Sequence, residues 1–227
     1  MDPRSSGAGS PTIEEAIPRL DSRKSELYEV TKGILEAYGR ALYPLDLLAY
    51  ATVNRTLHFI PAFVHSVETR NFFVTAPLLR MQLDSCLRFS AAWIVPSCQD
   101  YASEILSGTE PRKLKDAKGR KLTDAHLVSI LSPEFPWVES VYKHCSGFVH
   151  LSRAHIVTML TEKPEQPKEG REFTFKLGYG TVVLEDDRYL EAIEGFIACV
   201  DLLLTHLKGW HFTKDNPEQS KRLARRP

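Results

Sequence analysis

The sequence predicts an all-α fold, a helical bundle with a small β-hairpin inserted before the last helix. Over most of the chain, apolar residues recur every three or four positions, which is the period of one helix face. Proline and glycine divide these periodic stretches into segments of helix length. Strand-like residues gather in one stretch, "REFTFKLGYGTVVLE", around a Gly-Tyr-Gly turn, which indicates a single hairpin.

We expect three parts along the chain. Residues 1–22 are rich in Ser, Gly and Pro and are predicted to form a flexible lead. Residues 23–212 are predicted to form the helical bundle domain. Residues 213–227, which include "KRLARRP", are predicted to form a flexible basic tail.

The first half of the bundle is predicted to hold four helices. The first starts at Ser25, and the second covers residues 44–70, with Pro61 predicting a kink or a split. The third covers residues 75–94 with Thr75 as its N-cap, and the fourth covers residues 98–107, ending at a glycine.

The second half begins with residues 109–122, which contain little apolar surface and are predicted to form a solvated excursion from the core. Thr123 or Asp124 is expected to cap a short helix, and residues 133–160 are expected to supply a long one. After the predicted hairpin, Asp186 or Asp187 is expected to cap the last helix, which carries a continuous apolar stripe.

Composition limits the classes of function. The chain has 29 Lys and Arg against 29 Asp and Glu, so no overall field draws it to nucleic acid or to an anionic membrane, and any such contact would be local. The four cysteines form no C-x-x-C pair, which predicts reduced thiols in a cytoplasmic protein. Charged residues interrupt every apolar run before it reaches membrane-spanning length, and no signal peptide is apparent, so no membrane contact is expected.

Two polar ladders run beside apolar helix faces. One ladder is Arg80, Asp84 and Arg88. The other is Tyr142, Ser146, His150 and Arg153. If the ladders meet inside the bundle, histidine could exchange a proton, a carboxylate could orient it, and arginine could hold an anionic group. The alternative is that the first ladder forms surface ion pairs and that the histidine is a satisfied interior residue.

The order "LLRMQLDSCLRF" followed by "YKHCSGFVHLS" resembles uncharacterised bacterial all-helical proteins with R-x-x-x-[DE] and Y-x-x-x-S-x-x-x-H-x-S motifs. More distantly, residues 40–160 resemble the HEPN superfamily of helical bundles, many of which are RNases of toxin–antitoxin and phage-defence systems. HEPN nucleases carry an R-x(4 to 6)-H signature. Here no arginine lies five to seven positions before His150, and Lys143 is the nearest basic residue.

The resemblance implies a stress or phage-defence protein that is a metal-independent RNase or its inactive relative. In the active case, Arg80, Asp84 and His150 would be catalytic, with no metal and no cofactor. The expected substrate-binding residues are Tyr142, Ser146 and Ser152, which the resemblance covers, together with Arg88 and Arg153 from the two ladders. The alternative is a non-catalytic protein-interaction or scaffold module in which the same residues form a buried polar network. The expected partners are a second copy of the chain, RNA or another protein.

The segment "RKLKDAKGRK", residues 112–121, holds six basic residues and one acid. It could contact phosphates, although such charge runs are usually solvated loops. Both interpretations remain open at this point.

Overall fold

The computed structural model describes residues 12–150, 152, 153, 155, 156, 178 and 184–217, and the backbone of residues 160–162 and 173–175. Seven α-helices run through the described residues: α1 (Ile13–Glu36), α2 (Pro44–Glu68), α3 (Phe72–Ser90), α4 (Cys98–Leu106), α5 (Asp124–Leu131), α6 (Trp137–Val149) and α7 (Asp186–Asp215). Two short strands, β1 (Leu160–Glu162) and β2 (Phe173–Phe175), pair antiparallel. The all-α class is therefore confirmed. None of the described helices is both long and apolar enough to cross a bilayer.

Helix α3 lies at the centre and packs against α2, α5, α6 and α7. Its buried residues are not confined to one face, since Ser85 and Leu87, which point to nearly opposite sides of the helix, are both buried. Helix α1 packs along α7 and α2, and α4 packs on α2. The central position of α3 brings the polar ladder that begins at Arg80 close to helices on several sides.

Helix α1 begins at Ile13, twelve residues earlier than Ser25. Thr12 caps it through a capping box with Glu15, and Ile13 and Leu20 are buried against the core. The prediction of a flexible lead is therefore wrong for residues 12–22, because their apolar residues continue the buried face of α1. Residues 1–11 lie outside the described part of the chain.

Two other helix boundaries differ from the predictions, and the split that was one of the two outcomes expected at Pro61 is not seen. Helix α3 begins at Phe72, so Thr75 lies inside its first turn, where its hydroxyl donates to the Asn71 carbonyl. Helix α2 continues past Pro61 without a split. Helix α7 runs to Asp215, beyond the predicted start of the tail at residue 213, and residues 218–227 lie outside the described part.

Helix α6 is shorter than predicted. It ends at Val149, and His150 follows it with extended backbone angles, φ −107° and ψ 141°. The Ser152 hydroxyl donates to the carbonyl of Gly147 near this end. The polar ladder on this stretch is therefore broken after Ser146, and His150 does not continue the helical face.

The hairpin predicted around Gly178 is not seen. Strand β2 pairs with β1, and Phe173 lies opposite Glu162 in the register. Residues 179–183, on the far side of Gly178, lie outside the described residues. Within the described residues β2 pairs with an earlier segment, and the second half of the predicted hairpin lies outside them.

The segment 112–121, here called the basic loop, is anchored to the protein. Lys115 and Lys121 form an isolated antiparallel bridge, and the Leu122 amide donates to the Leu114 carbonyl at 2.9 Å. Leu122 is buried in the core, and so is the side chain of Asp116. The prediction of an excursion from the core is therefore wrong at these two positions, because a buried acid and a buried leucine fasten the loop.

A fully buried ion pair joins three helix ends. Lys214 Nζ lies 2.7 Å from Oδ2 of Asp46 and also donates to the Ile34 carbonyl at 2.7 Å. The indole of Trp210 donates to Oδ1 of Asp46 at 2.8 Å, and the Tyr43 amide donates to Oδ2 at 2.8 Å. The cluster fastens the end of α7 to the end of α1 and the start of α2.

Candidate functional site

The polar network of the bundle is organised by Asp124, the first residue of α5. Thr123 caps this helix by accepting a hydrogen bond from the His126 amide, which fixes where Asp124 lies. Oδ2 of Asp124 accepts from Arg80 Nη2 at 2.5 Å, and Oδ1 accepts from Arg88 Nη2. These three residues, Arg80, Asp124 and Arg88, are called the Asp124 bridge below.

Arg80 is almost enclosed, with its side chain 11% exposed. Its guanidinium carbon lies 4.6 Å from the centre of the Tyr142 ring, and its Nε lies 3.4 Å from the Ser146 hydroxyl. A cation over an aromatic face is attracted by the ring electrons. Two residues predicted from the second ladder, Tyr142 and Ser146, therefore do meet the first ladder at Arg80.

Arg88 connects the network to the backbone that precedes α5. Besides Asp124, it donates to the Leu122 carbonyl at 2.7 Å and to Oδ1 of Asp84 at 3.2 Å. The carbonyl of Arg88 accepts from the Tyr101 hydroxyl at 2.7 Å, and burial raises the pKa of that tyrosine. The donors of this guanidinium are therefore used to hold protein groups.

Asp84 is one helical turn from Arg80 but has different partners. It pairs with Arg88, and Oδ2 lies 3.8 Å from Nη1 of Arg55 on α2. Arg55 also lies over the Phe59 ring at 5.0 Å. The carboxylate that meets Arg80 is that of Asp124, which the sequence had suggested only as a helix cap.

The remaining predicted residues lie apart from the bridge. His150 is exposed, and within the described residues no hydrogen bond or ion pair joins it to Arg80 or Asp84. Arg153 is also exposed, and Ser152 is partly buried against the end of α6. The structure thus brings Arg80, Arg88, Tyr142 and Ser146 together, but it does not add the imidazole of His150 to them.

A cleft of about 390 Å³ opens between α2, α3, α4 and the turn that starts at Pro111. Its polar lining includes Arg55, Asp84, Arg88, Glu110 and Arg112. Its apolar lining is Leu48, Ala51, Ile105 and Pro111. The lining carries three arginines and two acids, so the cleft can receive a partly apolar group, and its charge balance slightly favours an anionic one.

The buried carboxylate of Asp116 holds the basic loop in place by accepting hydrogen bonds from loop residues and by contacting His126. It accepts from the Lys118 and Arg120 amides at 2.9 and 2.8 Å and from Arg120 Nε at 3.0 Å, and His126 Nε2 lies 2.9 Å from Oδ2. Burial acts to raise the pKa of Asp116, but the hydrogen bonds from Arg120 and His126 outweigh it and lower the pKa to about 2. His126 belongs to α5, so the loop is tied to the helix that begins with Asp124.

Comparisons of the chain with family models, curated proteins and solved structures find no match. Within the described residues, no group of three His, Cys, Asp or Glu side chains is placed to hold a metal ion. The function is therefore argued from the contacts of the Asp124 bridge, the cleft and the basic loop.

Proposed function

We propose that the chain is a non-catalytic interaction module in which the Asp124 bridge is a structural network. The observation that carries this proposal is that one carboxylate accepts hydrogen bonds from both Arg80 and Arg88. Tyr142 covers one of these guanidiniums, and the Leu122 carbonyl binds the other. The charge of both guanidiniums is thus already paired with a carboxylate, and part of their donors is already used, which disfavours binding of a substrate phosphate.

The position of the imidazole supports the same proposal. A general acid or base in phosphodiester cleavage must lie within hydrogen-bond reach of the proton it transfers, while a cation stabilises the phosphate. His150 is exposed beyond the end of α6, without a hydrogen bond to Arg80. The stress or phage-defence RNase expected from the HEPN resemblance stays a prediction, and it would require His150 and Arg80 to act on one phosphate.

The network has a clear structural consequence. Arg80 and Arg88 hold Asp124 at the start of α5, and His126 in the same helix holds Asp116 in the basic loop. The side chains of the bridge therefore position a surface rich in cations. A module whose interior fixes an exposed charged surface is suited to binding a partner.

Incubating purified protein with total RNA, beside the His150→Ala variant, tests this proposal. We expect intact RNA with both proteins. Cleavage by the unmodified protein that disappears in His150→Ala would contradict the proposal and favour the nuclease.

The homodimer expected from the sequence also stays a prediction. Size-exclusion chromatography with light scattering tests it by measuring the mass of the particle in solution. Apolar surface for such a contact is offered by exposed Tyr28, Leu42, Leu47 and Tyr50. The cytoplasmic location likewise stays a prediction.

A further inference from the structure

The basic loop carries more positive charge than its neighbours neutralise. Glu110 pairs with Arg112 at 2.7 Å and with Lys113 at 2.8 Å, and these pairs lower the pKa of Glu110. Asp116 pairs with Arg120. The other three cations, Lys115, Lys118 and Lys121, are exposed and form no ion pair within the described residues.

The loop holds these cations in a fixed arrangement. The bridge between Lys115 and Lys121 places two of them opposite each other on paired backbone. Gly119, with φ +79°, allows the tight turn between them, and the Ala117 amide donates to the Ile94 carbonyl at 2.9 Å. A charged surface that is already ordered loses less conformational entropy when it binds than a flexible one.

The loop and the cleft form one continuous surface. Arg112 lines the cleft and is also the first residue of the basic loop, so Lys115 lies at most about 11 Å from it along the chain. Inside the cleft, Arg55 is 42% exposed, and its contact with Asp84 is long at 3.8 Å. A ligand could therefore contact lysines outside the cleft and an arginine inside it at the same time.

We propose that this surface binds the phosphodiester backbone of a single-stranded nucleic acid, with one base in the cleft. Lysines attract backbone phosphates, and the planar guanidinium of Arg55 suits stacking against a base. Apolar residues such as Ala51 and Ile105 suit a base's flat face, whereas a membrane surface could meet the lysines but could not enter the cleft. This inference names the partner class of the interaction module proposed above and rests on that proposal.

Fluorescence anisotropy with labelled twelve-nucleotide oligouridine RNA, and with the matching DNA, measures the binding. If the three unpaired lysines contact phosphates, the slope of log affinity against log salt concentration should be about −2.1, since each contact adds about −0.7 for single strands. The affinity should then fall about twenty-fold between 50 and 200 mM salt. A difference in affinity between the RNA and the DNA shows whether the 2′-hydroxyl group contributes to binding.

Two variants distinguish the contribution of the lysines to binding from the contribution of the cleft. The triple variant Lys115→Gln/Lys118→Gln/Lys121→Gln should reduce the slope to near zero. Ala51→Phe, at an exposed lining position, should weaken binding about five-fold or more, with little change in slope, if a base occupies the cleft. The control Lys32→Gln/Lys143→Gln/Lys208→Gln removes the same charge from exposed positions elsewhere and should bind like the unmodified protein.

Equal losses in the two lysine triple variants would overturn the inference, because net charge alone would then explain binding. Equal affinity for polyglutamate or for phosphatidylserine vesicles would also overturn it. Absence of nucleic-acid binding overturns this inference and leaves the non-catalytic proposal standing. Binding accompanied by RNA cleavage, read from a gel of the same samples, supports the inference and contradicts the non-catalytic proposal.

Discussion

Lys214 lies near the end of α7 with its side chain 1% exposed, and its partner Asp46 is fully buried. Replacing Lys214 with methionine keeps the apolar part of the side chain but removes the ammonium group. The carboxylate of Asp46 would then keep its bonds from Trp210 and from the Tyr43 amide, but it would lose its only ion-pair partner within the described residues. The Ile34 carbonyl would also lose its donor from Lys214.

The size of the effect follows from burial. Removing one partner of a buried pair leaves an uncompensated charge and costs about 3 to 5 kcal/mol. For a domain of this size, each kcal/mol shifts the melting temperature by about 2 to 4 °C. We therefore expect Lys214→Met to melt about 6 to 20 °C below the unmodified protein.

Lys208→Met is the matched control, because Lys208 lies in the same helix, is 61% exposed and pairs with Glu26 at 3.4 Å. An exposed pair of this kind contributes about 0 to 1 kcal/mol. Urea unfolding followed by circular dichroism measures the free energy of unfolding of both variants. If Lys214→Met lost no more stability than Lys208→Met, the burial argument for this ion pair would be refuted.

Two further predictions concern titrating groups. Asp116 has a folded pKa of about 2, below the usual carboxyl value of 3.8, so it stabilises the fold above about pH 4 and loses that contribution as the pH falls towards 2. In acid titrations followed by fluorescence, the stability gap between the unmodified protein and Asp116→Asn should shrink over that window, and a constant gap would contradict it. Burial raises the pKa of Cys145 from 9.0 to about 11, so its thiolate fraction at pH 8 should be about 100-fold below that of an ordinary thiol. Mass spectrometry after iodoacetamide treatment should find Cys145 unmodified in the folded protein and alkylated in urea; rapid labelling of the folded protein would disprove this.

Local signals in the sequence predict several elements well. Pro44 begins α2 and Thr123 caps α5, because both signals act on backbone groups within one turn. Gly108 follows α4 with φ +96°, as a terminating glycine should. These features do not depend on distant parts of the chain.

The residues around position 12 also contain the signal for the start of α1. Ser, Gly and Pro are concentrated before residue 12, whereas Thr12 and Glu15 form the T-x-x-E pattern of a capping box. The Ser, Gly and Pro content of residues 1–22 as a whole does not reveal this pattern, because most of those residues precede Thr12. The cap and the apolar residues behind it decide where the helix begins.

The polar partners could not be predicted in the same way. Arg80 meets Asp124, 44 residues away, and Asp46 meets Lys214, 168 residues away. Local spacing suggests that Asp84 is the natural carboxylate for Arg80, but packing of α5 on α3 supplies a different one. Such choices depend on how helices pack, which a single sequence leaves open.

The most direct test of the structural role of the Asp124 bridge is a double-mutant cycle with Arg80→Met, Asp124→Asn and the double variant. Unfolding free energies from urea titration give the coupling between the two side chains. A partly buried, charge-assisted hydrogen bond predicts a coupling of about 1.5 to 3 kcal/mol. A coupling below about 0.5 kcal/mol, within the range of independent sites, would contradict the claim that this bridge holds the fold.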